Sequence, residues 1–123
     1  MDLRKYYEEK TGRGVLATAD LEGRVNAAVY ARPHMMDDGT AAFVMAEKLT
    51  LANLKSNPHA AYLFFEAGEG YRGVRLYLRK IKDEINEKAI AEICRRCGYS
   101  YQDAGSRHLV YFQIEKILPL IGA

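Results

Sequence analysis

The chain predicts a mainly β fold, a meander of six strands interrupted by short helices. Short segments alternate apolar and polar residues with the period of a half-buried strand. Gly- and Asp-bearing turns separate them, and only one short helical stretch interrupts the run before a longer helix near the end.

The elements follow in order. Asp2 can cap a leading helix that runs to Lys10, with Leu3, Tyr6 and Tyr7 packing on the barrel. Gly12 and Gly14 release the chain into a first strand, 14–20 (GVLATAD). A second strand, 25–32 (VNAAVYAR), returns through Leu21-Glu22-Gly23-Arg24, whose Gly suits a hairpin position with positive φ. A further turn at Asp37-Asp38-Gly39-Thr40 leads to a third strand, 41–46 (AAFVMA).

Residues 47–65 (EKLTLANLKSNPHAAYLFF) read as a polar-started helix, an Asn57-Pro58 stop and a buried strand over 59–66. Thr50 is the expected N-cap, with Leu51 and Leu54 on the inner side. A helix start between two strands presents unpaired N–H groups and positive dipole charge, an arrangement suited to a phosphate.

After the loop 67–71, strand 74–82 alternates Val74, Leu76 and Leu78 with Arg75, Tyr77 and Arg79. Arg75 is the preferred candidate on that strand for forking onto a carboxylate or phosphate at a subunit seam. Residues 85–97 form an amphipathic helix, with Ile85, Ala89, Ile90, Ile93, Cys94 and Cys97 on its apolar face and Gly98 as its stop. A polar loop, 99–106, precedes the last strand, 107–116, and the apolar tail 117–121 suits a seam against the barrel or a second subunit.

Bulk properties narrow the function. At 123 residues the chain is a single domain, 1–123, long enough to bury roughly two-thirds of its unfolded surface. Its 18 basic and 16 acidic residues are interspersed, unlike the clustered basic face of a nucleic-acid binder. The N-terminus is too charged for a secretory signal, and no apolar run approaches the roughly 20 residues of a membrane span, so a cytoplasmic location is expected. Cys94 and Cys97 are too few for a disulfide framework, and their place on a helix's apolar face favours packing over zinc. His34, His59 and His108 lack metal-ligand spacing, so no metal is expected, and His59 and His108, each ahead of a strand, are expected at the surface or rim. No Ser-His-Asp or Cys-His order, paired-carboxylate motif or Gly-rich phosphate loop is visible.

Alanine is concentrated on the early strands, at Ala17, Ala19, Ala27, Ala28, Ala31, Ala41, Ala42 and Ala46. Alanine has weak strand propensity, so either a flat ligand lies against the sheet or small residues fill a narrow barrel's taper.

Taken together, the acidic-Gly hairpin, VNAAVYA, DDGTAAFVM, KLTLANLKSNPHAAYLFF and YRGVRLYLRKIKDE resemble the pyridoxamine 5′-phosphate oxidase-like flavin-binding split barrels, most of all the small bacterial FMN-binding proteins. The resemblance covers about residues 14–84 and the last strand. It implies a six-stranded antiparallel split β-barrel with short helices and FMN as cofactor, with Asn26, Ala27, Ala28 and Val29 along the flavin, Ala46, Glu47 and Lys48 near the ring edge or phosphate, and Thr50 and Asn53 matching the family's Thr and Asn. Where the oxidases place an Arg-Lys pair this chain has Leu49-Thr50, leaving Lys48 as the nearby cation, and Gly73 stands where they have a flavin-contacting Gln. The expected protein is a homodimeric FMN-binding oxidoreductase or electron-transfer protein with a small-molecule or protein redox partner. The alternatives are a pyridoxamine 5′-phosphate oxidase-type enzyme and a non-catalytic flavin- or haem-binding or regulatory dimer; F420 or haem replaces FMN in some relatives.

Overall fold

The computed structural model describes residues 1–97 and 107–122. It is mainly β, with α1 (Leu3–Glu9), β1 (Gly12–Ala19), β2 (Val25–Tyr30), β3 (His34–Met35), β4 (Ala41–Met45), α2 (Leu49–Ser56), β5 (His59–Glu66), β6 (Gly73–Glu84), α3 (Glu87–Cys97) and β7 (His108–Pro119). Seven strands replace the expected six because residues 34–35 pair briefly with β4. All pairings are antiparallel, in the order β2-β1-β5-β6-β7-β4-β3, and the sheet curls into a half-barrel with β2 and β3 as its edges.

This order explains the helix in the meander. β4 and β5 adjoin in sequence but lie on opposite flanks of the sheet, and α2 carries the chain between them. Leu51 and Leu54 of α2 join Leu16, Phe43, Tyr62, Phe64, Leu76, Leu78 and Phe112 in the main core. Phe43 sits at its centre, meeting Tyr30, Tyr62 and Phe112 edge to face with centroids 6.1, 5.1 and 5.6 Å away, the favoured aromatic geometry.

The leading helix is capped as expected, Asp2 Oδ1 accepting from Lys5 N at 3.2 Å, and Leu3 and Tyr7 are buried. Tyr6 donates to Glu66 Oε2 at 2.6 Å, so burial, with this bond, raises its pKa. Gly23 takes the hairpin position with φ +83°. The second helix differs from expectation: Thr50 is not the N-cap. Lys48 N bonds back to Ala46 O at 2.9 Å in a tight turn around Glu47, so the helix starts at Leu49, with Lys48 as N-cap.

α3 starts later than expected. Asn86 Oδ1 accepts from Ala89 N at 3.0 Å, capping the helix and leaving Ile85 59% exposed outside it. Ile90 and Ile93 pack with Ala42 and Leu109 in a second core, against which Cys94 is partly buried, as its packing role required. The Cys97 side chain, the Gly98 stop and the loop 99–106 lie outside the described residues. β7 runs to Pro119 and pairs with β6, so most of the apolar tail lies against the barrel as strand, the first of the two places expected for it.

Inward positions on β1 need glycine where a large side chain crosses from β5. A Cβ on Gly14 would lie 2.0 Å from Tyr62 Oη, which donates to Tyr30 O at 3.1 Å. Gly14→Ala therefore displaces a fully buried ring, and overpacking of this kind costs about 1–3 kcal/mol. The expected outcome is a lower urea midpoint at unchanged slope; an unchanged midpoint would show that the Tyr62 ring yields freely.

Candidate functional site

Four side chains hold α2 across the half-barrel. Thr18 of β1 and Asn26 of β2 are direct register partners. Thr50 and Asn53, three apart on one face of α2, meet them: Asn26 Nδ2 donates to Thr50 Oγ1 at 3.2 Å, and Asn53 Nδ2 to Thr18 Oγ1 at 3.1 Å. Thr18, Thr50 and Asn53 are buried, so each bond satisfies polar groups that would otherwise cost about 1–3 kcal/mol. The α2 N-cap, Lys48, makes no side-chain cap hydrogen bond, and the first N–H groups of a helix have no intrahelical partner. Lys48 and Leu49 are exposed beside them.

Tyr30, from the end of β2, borders this helix start. Burial raises its pKa, while hydrogen bonding with Thr50 and the positive charge of Arg107 act in the opposite direction. Arg107, just ahead of β7, is thus a second cation on this side of the barrel. Beside it His108, 9% exposed, lies between two carboxylates: Nδ1 is 2.6 Å from Asp83 Oδ1 and Nε2 2.8 Å from Glu47 Oε1. The hydrogen bond to Asp83, with that to Glu47 and both negative charges, raises its pKa against the opposing effect of burial. His108 is therefore not the rim residue expected from sequence: β7 pairs with β4 and β6 on either side, drawing the ring between Glu47 and Asp83. His59 is exposed, as expected.

The candidate residues divide into separate places. Asn26, Thr50 and Asn53 meet at α2, with Ala46, Glu47 and Lys48 forming the turn into it. Ala28 faces inward on β2, whereas Ala27 and Val29 face out, Val29 being 80% exposed. Arg75 lies elsewhere: Nε donates to Pro119 O at 2.9 Å and Nη2 to Gly122 O, so its fork is occupied by the chain end. Arg79 is similarly held by Glu115 and Gln113.

The alanines also resolve by face. Ala41 and Ala42 are buried, but Ala17, Ala19 and Ala61 line a shallow outer groove of about 410 Å³ with Val25, His59, Tyr77 and Glu115. Thus Ala17 and Ala19 do not fill the barrel's taper. Val25, Ala27 and Val29 extend this apolar surface to the free edge of β2.

Sequence reasoning missed Thr18, Tyr30, Asp83 and Arg107. Thr18 had a signal, being the polar member of the inward series Gly14, Leu16, Thr18. The others are brought close by strand pairing. Among the described residues no group of His, Cys, Asp and Glu could hold a metal ion, and no helix is long and apolar enough to cross a membrane.

No protein-family model matches the chain, and no curated protein matches it in sequence. Solved structures do match in shape. An FMN-binding protein from Syntrophomonas wolfei superposes with a TM-score of 0.75 at 24% identity, covering 98% of this chain and 84% of that one. A candidate pyridoxamine 5′-phosphate oxidase from Lactobacillus delbrueckii gives 0.69 at 12% identity, covering 96% and 92%. The haem storage protein HutZ from Vibrio cholerae gives 0.70 at 17% identity, covering 96% and 92%. What these proteins share with the chain at such identities is the arrangement of strands and helices described above. The chain has the fold of the pyridoxamine 5′-phosphate oxidase-like split barrels.

Proposed function

We propose that the chain is a homodimeric FMN-binding protein that serves in cytoplasmic oxidoreduction or electron transfer. The observation that carries this reading is the uncapped start of α2, seated by Asn26, Thr50 and Asn53 beside the exposed Lys48, in a fold shared with an FMN-binding protein. The N–H groups of the first helical turn and the Lys48 ammonium are the donors for the phosphate. Thr50 serves chiefly through the helix, since its hydroxyl already accepts from Asn26. Among the described residues β2 pairs only with β1, so its outer edge offers backbone donors and acceptors to the polar rim of a flavin lying along residues 26–29.

FMN when bound supplies the redox chemistry, and the protein positions and tunes it. The side chains of this site offer no assembled nucleophile and base. Their part is to bind the phosphate, exclude water from the β2 edge and leave the ring reachable by donor and acceptor.

The second copy belongs on the outer sheet face. Leu21, Val25 and Val29 are 79%, 83% and 80% exposed, and Phe65 and Tyr77 are 38% and 43% exposed on the same sheet. An apolar surface of this kind on a small chain marks an association face, and a two-fold pairing would cover two equivalent flavins.

A haem reading draws on the likeness to HutZ. His108 does not favour it, because both its ring nitrogens face carboxylates. Cofactor identity is settled by absorbance and mass spectrometry of the purified protein after denaturation: FMN is expected, and stoichiometric haem or F420 would overturn the assignment.

Lys48→Ala should weaken FMN about tenfold, the effect of losing one charge-assisted contact of roughly 1.5 kcal/mol, and leave riboflavin, which lacks the phosphate, unaffected. Equal affinity of parent and variant for FMN in a fluorescence titration would place the phosphate elsewhere. Val29→Glu puts a charge on the proposed seam without touching the core, so light scattering should show a monomer at micromolar concentration. A parent that is itself monomeric with flavin bound would remove the dimer from this reading.

A further inference from the structure

The cluster of His108, Asp83 and Glu47 has no part in binding phosphate directly, yet it ends on the turn from which α2 starts. Glu47 is the middle residue of that turn, closed by Lys48 N to Ala46 O at 2.9 Å, and Lys48 is the N-cap. Asp83 comes from β6, and β4 presents Met45 opposite His108. Among the described residues, the charged groups around the ring are Asp83, Glu47 and, next to it along the chain, Arg107.

Both ring nitrogens lie within hydrogen-bond distance of a carboxylate oxygen, at 2.6 and 2.8 Å. A carboxylate only accepts, so both contacts are satisfied when both nitrogens carry protons. A neutral ring has one N–H, and one carboxylate then faces a lone pair. Glu47 is the partner to yield, because its side chain is 63% exposed against 19% for Asp83.

We propose that His108 is a positioning residue that couples anion binding at the α2 start to pH, holding the Glu47 turn when protonated and releasing it when neutral. This rests on the flavin reading above. Two effects share one sign. With His108 charged, the cluster of Asp83, Glu47 and His108 carries net charge −1, and deprotonation makes it −2 beside a phosphate. Release of Glu47 also loosens the turn that aims the helix N–H groups. The folded-state pKa of His108 is raised, so affinity for a phosphate is highest at low pH and falls as pH rises through that value. The phosphate's own second ionisation, near pH 6, acts in the opposite direction and is complete before the alkaline range.

The test is FMN affinity of the full chain between pH 7 and 9.5 at fixed ionic strength, with riboflavin as the probe lacking phosphate. One added charge near a phosphate in a partly screened site corresponds to roughly fivefold weaker FMN, with riboflavin nearly flat. His108→Gln should hold FMN at the parent's weak, alkaline level throughout, and Glu47→Gln should move the midpoint to lower pH. FMN affinity that is flat with pH in the parent, or that falls equally in His108→Gln, overturns the coupling while leaving the flavin reading intact. Failure of the parent to bind FMN at every pH overturns both.

A second measurement needs no variant. Linkage requires a fivefold coupling to raise the His108 titration midpoint, followed by NMR of its ring protons, by about 0.7 of a pH unit on saturation with FMN. An unmoved midpoint overturns the proposal even if His108→Gln does not fold.

Discussion

The structure depends on how α2 is seated across the open side of a sheet that does not close. The sheet ends at β2 and β3, and the chain must pass from β4 on one flank to β5 on the other. Apolar burial of Leu51 and Leu54 draws the helix onto the core, but burial is non-directional and sets neither its height nor its rotation. The bonds from Asn26 to Thr50 and from Asn53 to Thr18 supply that direction, because buried amides and hydroxyls are satisfied only in one arrangement. The helix start, the Lys48 cap and the Glu47 turn all inherit their position from this seating.

The sheet has two faces with different tasks. Inward positions carry the aromatic core around Phe43 and tolerate no added atom at Gly14. On β1 and β2 the outward positions carry mostly alanines and valines in place of the polar residues usual on a solvated face. Small outward side chains make a smooth surface with little rotamer entropy to lose on contact, which suits association with a flat ring or a second sheet. On β6 the outward Arg75 and Arg79 bond to β7 or its continuation, so these charges hold strands together.

In the proposed function Lys48 and the dipole of α2 favour an anion, whereas Glu47 and Asp83 oppose it. His108 stands between these carboxylates, and its charge state alters the balance by one unit.

Most of the elements were legible in the residues: the hairpin with Gly23 at positive φ, the short helix before β5, the amphipathic α3 and the inward aliphatic series on β6. Each is written in local spacing, since side-chain periodicity and turn chemistry act over a few residues. The two-residue β3 was not legible, having no period to show. The N-cap was misjudged because Thr50 is a good capping type, while the turn around Glu47 that starts the helix earlier has no side-chain signature. Of the candidate site, Asn26, Glu47, Lys48, Thr50 and Asn53 were named through the family resemblance, whereas Thr18, Tyr30, Asp83 and Arg107 were not, and His108 was assigned to the rim. Those positions follow from long-range pairing, for one reason. Asp83, His108 and Glu47 lie on β6, β7 and the turn after β4, and hydrogen-bonded pairing of distant strands, which no local pattern encodes, sets them side by side.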